Sequence, residues 1–268
     1  MIENKTIVLT GASSGIGLEF LKLLDQGEGN RILAVSRNAT KKISADEFKS
    51  DVTVFDADTS TKEGVDSIFA KAEELFGKID LFYNNAGYPY YEPYNYEDWD
   101  RLSRIFEANT IGPAYTYVKY LHHLDGREGH LAYTISAIGT MAMPGYALYS
   151  ASKFGLEGFQ EGIRLEMPKN MKFTCLYPVA TDTNFFITAA DGILFEKPFP
   201  VQNPVTVAKK MYKGIEKGKK KVSPCILFGV SKVLMTIFPP ARTIYWKLEK
   251  AKLNRFAAKM RRLGKEGY

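Results

Sequence analysis

Cysteine is nearly absent from this chain: its 268 residues include only Cys175 and Cys225, both in apolar surroundings. They form neither a metal-spacing motif nor a disulfide framework, which points to a reducing, cytoplasmic setting. No apolar leader opens the chain, because a polar Glu3-Asn4-Lys5 precedes any apolar run, so no secretory signal is expected. Long hydrophobic runs are lacking too. The best candidate, 226–238, has 13 residues interrupted by Gly229, Ser231, Lys232 and Thr236, against the ~20 that a spanning helix needs. Internal repeats and low-complexity linkers are missing. Acidic residues are scarce at the end: 209–268 holds 17 Lys/Arg against 3 Asp/Glu, whereas the preceding residues hold 19 against 27. The formal charge of +6 therefore belongs to the tail. Such a charge would suit nucleic acid, but no recognition motif accompanies it, and no nucleic-acid partner is expected. What remains, 45% hydrophobic and 25% charged residues, is the composition of an ordinary globular protein with room for one sizeable core.

The chain alternates strand-like and helix-like segments. Thr6 to Thr10 is a short β-branched run followed directly by Gly11-Ala12-Ser13-Ser14-Gly15-Ile16-Gly17 and a helical pattern through Leu24. A glycine turn at a strand-to-helix junction lets backbone approach a ligand, and the free N–H groups and positive dipole of the helix start suit a pyrophosphate. The spacing Gly-x-x-x-Gly-x-Gly is a variant of the common dinucleotide fingerprint. A second strand, 31–35, ends at Ser36-Arg37, where a dinucleotide fold reads the adenosine ribose and where an acid is absent. Arginine after a small residue admits and clamps a 2′-phosphate, so NADP is expected over NAD, although Arg37 could also be a solvated loop cation. A third strand, 52–55, leads to Asp56 and Ala57, with Asp56 a candidate partner of an adenine amino group. A helix over 64–76 and a strand over 79–83 follow, then the turn Asn84-Asn85-Ala86-Gly87. This alternation predicts a doubly wound parallel sheet with ligands at the carboxyl ends of its strands.

Beyond the turn, Tyr88, Tyr90, Tyr91, Tyr94, Tyr96 and Trp99 crowd a loop that could line an apolar pocket or meet a neighbouring subunit. Asn109 stands on a largely apolar helical segment and needs hydrogen-bond partners. Ser136 ends the apolar run 131–135, predicted as a buried strand; thirteen residues on comes Tyr149-Ser150-Ala151-Ser152-Lys153. On a helix, Tyr149 and Lys153 share one face a turn apart, and a cation near a phenol favours the phenolate. Alone, such a pair is more often a solvated surface pair.

Assembled, these residues resemble the short-chain dehydrogenase/reductase family, over about residues 5–220. The family pattern Thr-Gly-x-x-x-Gly-x-Gly stands at Thr10–Gly17, Asn-Asn-Ala-Gly at Asn84–Gly87, the helix asparagine at Asn109, and the Ser, Tyr and Lys at Ser136, Tyr149 and Lys153. The resemblance implies a single Rossmann-like domain over 1–221. It makes Tyr149 the general acid/base, gives Lys153 the tasks of lowering its pKa and binding the nicotinamide ribose, has Ser136 hold the substrate oxygen, and has Asn109 anchor a water-linked proton relay. It also implies cofactor contacts from Pro178, Thr181 and Thr183 after the strand at 173–178, although Val179 replaces the usual glycine. Assembly as a homodimer or homotetramer is a further implication.

Two segments stand apart. Residues 184–200, rich in Phe185, Phe186, Phe195 and Phe199, read as a mobile apolar lid over the substrate or as a packed helix. In the extension 222–268 the family's usual last strand is not evident after Lys221, and Leu253, Phe256, Met260 and Leu263 mark a basic amphipathic helix. Such a helix could lie on an anionic membrane, cover the cleft, or dock on its own domain or a partner subunit. The expected activity is interconversion of a secondary alcohol and a ketone on a small lipophilic substrate, and similarity to hydroxysteroid dehydrogenases implies first of all a hydroxysteroid or bile acid. A membrane-surface keto-lipid reductase and a non-catalytic NADP-binding regulator are the alternatives.

Overall fold

The computed structural model describes residues 1–265, so the last three positions of the 222–268 extension lie outside the described residues. Seven parallel strands form one sheet: β1 Thr6–Thr10, β2 Arg31–Ser36, β3 Asp51–Asp56, β4 Leu81–Asn84, β5 Gly129–Thr134, β6 Met171–Leu176 and β7 Lys221–Val222. Their spatial order is β3-β2-β1-β4-β5-β6-β7, in register at Val8 with Leu33 on one side and with Phe82 on the other. The order reverses between β1 and β4, and a crevice opens there beyond the carboxyl ends of the strands.

Strand alternation decides which helix each face receives. Ile7, Leu9, Ile32, Ala34 and Tyr83 point to the layer of α1 (Gly15–Leu24) and α7 (Pro204–Glu216). Val8, Leu33, Val35, Phe82 and Tyr133 point to α2 (Lys62–Phe76), α4 (Gly112–Leu124) and α5 (Ala147–Glu166). Strands buried on both faces are near-continuously apolar, which is why they were visible as short apolar runs. Caps fix the helix ends: the Thr61 hydroxyl accepts from Gly64 N–H at 3.0 Å, and Gly77 closes α2 in the left-handed conformation.

A third apolar cluster lies beyond the sheet edge, around Tyr91, Tyr146, Tyr149, Ile193, Phe256 and Met260. It joins the aromatic loop, α3 (Trp99–Phe106), the short helix α6 (Phe185–Ala189) and the long α9 (Pro239–Arg262). One expectation is corrected here, and one that had several outcomes open is decided. The last strand is present as the two residues of β7, paired with Cys175 and Leu176, and is too short to carry any alternation. The basic amphipathic helix is the end of the 24-residue α9 and docks on its own domain: Phe256 and Met260 are buried there, whereas Leu263, just past the helix end, is exposed. Ahead of it, α8 (Ile226–Ile237) matches the interrupted apolar run, and no helix among the described residues is long and apolar enough to cross a membrane.

Candidate active site

Thr10 and the asparagine pair build the floor of the crevice. The Thr10 hydroxyl accepts from the N–H groups of Asn85 and Ala86 at 3.0 and 3.1 Å and donates to Asn84 Oδ1 at 3.2 Å. Asn85 reaches back to the Thr10 carbonyl at 3.2 Å and accepts from Thr134 Oγ1 at 3.0 Å. Three adjacent strands are thereby tied at their carboxyl ends. Over this floor runs a cleft of about 660 Å³ lined by Gly11, Ser13, Ser14, Gly15, Ile16, Ser36, Arg37, Ala57, Asn85, Ala86, Gly87, Ser136, Tyr149, Lys153, Pro178, Thr181 and Thr183.

The glycine turn is shaped as a cradle. Gly11 has φ +66°, and a Cβ on Gly17 would lie 2.1 Å from the Gly11 carbonyl oxygen, so only glycine allows the chain to fold back this closely. Ser14, at the start of α1, makes no side-chain cap bond among the described residues, which leaves the first amides of the helix facing the cleft side. At the far end of the cleft Ser36 Oγ is buried without a partner among the described residues, with Arg37 and Lys42 beside it on the lining. An orphan hydroxyl and two cations on one lining are groups that can hold a ribose and its anionic substituents. Lys42 was missed by sequence reading, because it falls on an irregular turn with no period to mark it.

Four expected residues are not on the lining. Gly17 serves the close packing of the turn, and Asn84 the floor. Asp56 is exposed, and its carboxylate accepts from Thr40 N–H at 3.0 Å and Thr40 Oγ1 at 2.6 Å, bonds that hold it below the usual carboxylate range. The acid lining the cleft beside Ala57 is Asp58. Asn109, fully buried in a π-type turn over Glu107–Ile111, accepts from Tyr88 N–H at 3.1 Å and donates to the Tyr88 carbonyl at 2.9 Å and Ser152 Oγ at 3.0 Å. Its partners are thus the loop after β4 and the helix carrying Tyr149.

Ser136, Tyr149 and Lys153 do converge. Ser136 has φ 143° and ψ 154°, a region nearly reserved for glycine, and such strain at a cleft is held by its surroundings: its hydroxyl accepts from Ile138 N–H at 3.2 Å and donates to the Pro178 carbonyl at 3.4 Å. Tyr149 and Lys153 stand one turn apart on α5, both buried. Burial raises the Tyr149 phenol well above its ordinary value, against a hydrogen bond with Ser136 that lowers it; burial pushes Lys153 down to about 7. The Tyr149 shift is set by burial first and the Ser136 hydrogen bond second, and the tuning expected from the ammonium is not among its causes. Lys153 Nζ donates to the Thr134 carbonyl at 3.1 Å and lies 5.9 Å from the centre of the Tyr149 ring.

The substrate side is aromatic. Phe185 meets Tyr149 edge-on with ring centres 5.5 Å apart, and Tyr88, Met141, Met143, Phe228 and Tyr245 continue the lining. The segment 184–200 is held in place: Phe195 stacks on Tyr91 at 4.0 Å, and α9 grips it through Arg255–Glu196 at 2.7 Å and Lys259 to the Leu194 carbonyl at 2.9 Å. Beneath the aromatic loop, Arg101 pairs with Glu92 at 2.7 Å and lies 3.7 Å over the Tyr90 ring.

Fold and site together define an α/β protein with a glycine-rich strand–helix turn and a Ser–Tyr–Lys group at the carboxyl edge of a parallel sheet. The family model described as short chain dehydrogenase matches residues 5–192, and the chain belongs to that family of oxidoreductases. It is 29% identical over 238 residues to SadH of Mycobacterium tuberculosis, which bears an oxidoreductase name; the match covers 82% of this chain and 86% of the relative. To the 3-ketodihydrosphingosine reductase of Dictyostelium discoideum it is 24% identical over 273 residues, covering 91% and 80%. Among solved structures, a short chain dehydrogenase from Burkholderia cenocepacia in complex with NADP superposes with a TM-score of 0.75 at 21% identity, covering 90% of this chain and 96% of that one.

Proposed function

We propose that the chain is an NADP-dependent oxidoreductase interconverting a secondary alcohol and a ketone on a lipophilic substrate. The observation that carries the reading is the meeting of Ser136, Tyr149 and Lys153 in one cleft with the Gly11–Gly17 turn. Ser36, Arg37 and Lys42 support NADP over NAD, since two cations and an orphan hydroxyl favour a 2′-phosphate that an acid would repel. When bound, the nicotinamide supplies or accepts the hydride. The work of the chain is placement and proton transfer. Ser136 Oγ orients the substrate oxygen, and the Tyr149 phenol gives that oxygen its proton in reduction and takes it back in oxidation. Lys153, on the next turn, stabilises the phenolate left behind and reaches the cofactor ribose. Asn109 holds Tyr88 and Ser152, and with them the wall facing the reaction.

Tyr88, Tyr146, Phe185 and Met143 make a lipophilic wall, and the Tyr146 hydroxyl, buried without a partner among the described residues, is available to a polar group on the substrate. A hydroxysteroid or bile acid suits such a wall. A keto-lipid suits it as well, and that second reading is favoured by the apolar α8 beside the cleft and by the likeness to a ketodihydrosphingosine reductase.

Absorbance at 340 nm, followed with NADP or NAD and a panel of hydroxysteroids, bile acids and keto-lipids, tests the reading. Turnover is expected with NADP and one lipophilic class. Tyr149→Phe keeps the ring and removes the proton donor, so turnover should fall by about two to four decades. Undiminished turnover would overturn the mechanism.

A further inference from the structure

Helix α8 is built inside out. The side toward the protein carries Phe228, Ser231, Lys232 and Met235, all half-buried, whereas Ile226, Leu227, Val230, Val233, Leu234 and Ile237 are each more than half exposed. Both sets recur at helical spacing, so the apolar residues form one outward face. None of the helix's residues is buried, and its packing neighbour is α9. A contiguous aliphatic face of this kind on a water-soluble surface calls for a cover.

Charge selects among the covers. Residues 226–250 contain Lys232, Arg242, Lys247 and Lys250 against the single acid Glu249, which is buried and paired with Lys252 at 2.8 Å. A second copy of the chain would bring the same positive charges against these. The face of the 12-residue α8 by itself, about 18 Å long and 10 Å wide, offers a few hundred Å², short of the roughly 800 Å² per partner of a stable dimer. An exposed aliphatic face followed on α9 by the exposed basic side chains of Arg242, Lys247 and Lys250 matches instead the acyl and phosphate layers of an anionic bilayer. Position agrees, since Phe228 on α8 and Tyr245 on α9 line the cleft itself.

We propose that α8 lies in the surface of an anionic phospholipid membrane, its outer face among the acyl chains, with the mouth of the cleft opening beside the lipid. This rests on the exposed face and its charge, and is read without turnover.

The test is co-sedimentation of the full chain with phosphatidylcholine vesicles, with and without phosphatidylserine, alongside sedimentation-velocity mass without vesicles. The protein should pellet with the serine-containing vesicles, less so at high salt. Val230→Glu with Leu234→Glu should lower that partition by about tenfold or more at unchanged mass. Leu227→Ser with Val233→Ser, which adds no charge, should lower it in the same direction and guards against a variant that fails to fold. Protein that stays in the supernatant with both vesicle types overturns the proposal. So does partition that neither variant reduces. A variant that loses an oligomeric step without any vesicle binding would assign the face to a second copy and overturn it equally.

Discussion

Lys153 is held by two opposed tendencies: Thr134 offers its ammonium one carbonyl, while burial makes the charge costly. Its folded pKa of about 7 is below the ordinary 10.5, so between those values the unfolded chain binds a proton that the folded chain does not. Stability should therefore rise with pH across that window, with a slope of up to about 1.4 kcal/mol per pH unit, and fall away as pH drops toward 7. Urea titrations of the cofactor-free protein from pH 7 to 10 should give this slope, and Lys153→Met should remove it. At the ribose end, Arg37→Asp is expected to turn cofactor preference from NADP toward NAD, because the acid repels the 2′-phosphate and accepts a 2′-hydroxyl. Tight NADP binding that survives Arg37→Asp but is lost in Lys42→Ala would move the clamp to Lys42. These residues differ in how far they could be read beforehand. Helical spacing put Tyr149 and Lys153 on one face, but they were legible as a site with Ser136 only through the resemblance to the family's Ser, Tyr and Lys pattern. The Ser136 backbone strain and the adoption of Asp56 by Thr40 were not, since both are set by segments distant in sequence or by tertiary packing.

At the level of elements, the apolar stripe of α9 and the 184–200 segment define each other. Phe256 packs against Tyr91 and Phe195 with ring centres 5.1 and 5.7 Å away, and Leu253 joins the same cluster. The helical period at 253–263 was visible in the sequence; its cover was not, because a period names a buried face without naming the surface that buries it. Phe256→Ala should cost about 3 kcal/mol or more by thermal or urea unfolding, as for other large-to-small core changes. It should also raise KM for a lipophilic substrate while sparing NADP binding, because the cavity opens under the substrate wall and away from the glycine turn. Arg255→Ala, which removes an ion pair exposed on both sides, should change stability little. Equal losses from the two substitutions would mean that the ion pair, and not the aromatic packing, holds the segment.

For the whole molecule, three apolar clusters divide the labour. Two fill the faces of the sheet and take nothing from the residues after Val222, while the third, around Tyr149, is completed by Leu253, Phe256 and Met260 from α9. The parallel sheet followed from the alternation of apolar runs with amphipathic segments, because each strand carries its own burial pattern, whereas the strand order is set by pairings between distant segments and was read from the structure. The closure after β7 did not follow, because a two-residue strand leaves no local trace and the visible period of the last helix does not say which part of the chain it covers. This division predicts how a chain ending at Val222 would behave. The sheet, α1, α7 and the glycine turn keep their packing, so far-UV circular dichroism and NADP binding should persist. Tyr91, Phe195 and Ile193 lose their cover, so the truncated chain should bind a hydrophobic dye that the full chain excludes and should lose turnover of lipophilic ketones far more than cofactor affinity. A truncated chain that failed to fold at all would mean that the third cluster stabilises the sheet itself, and the extension would then belong to the same cooperative unit as the strands.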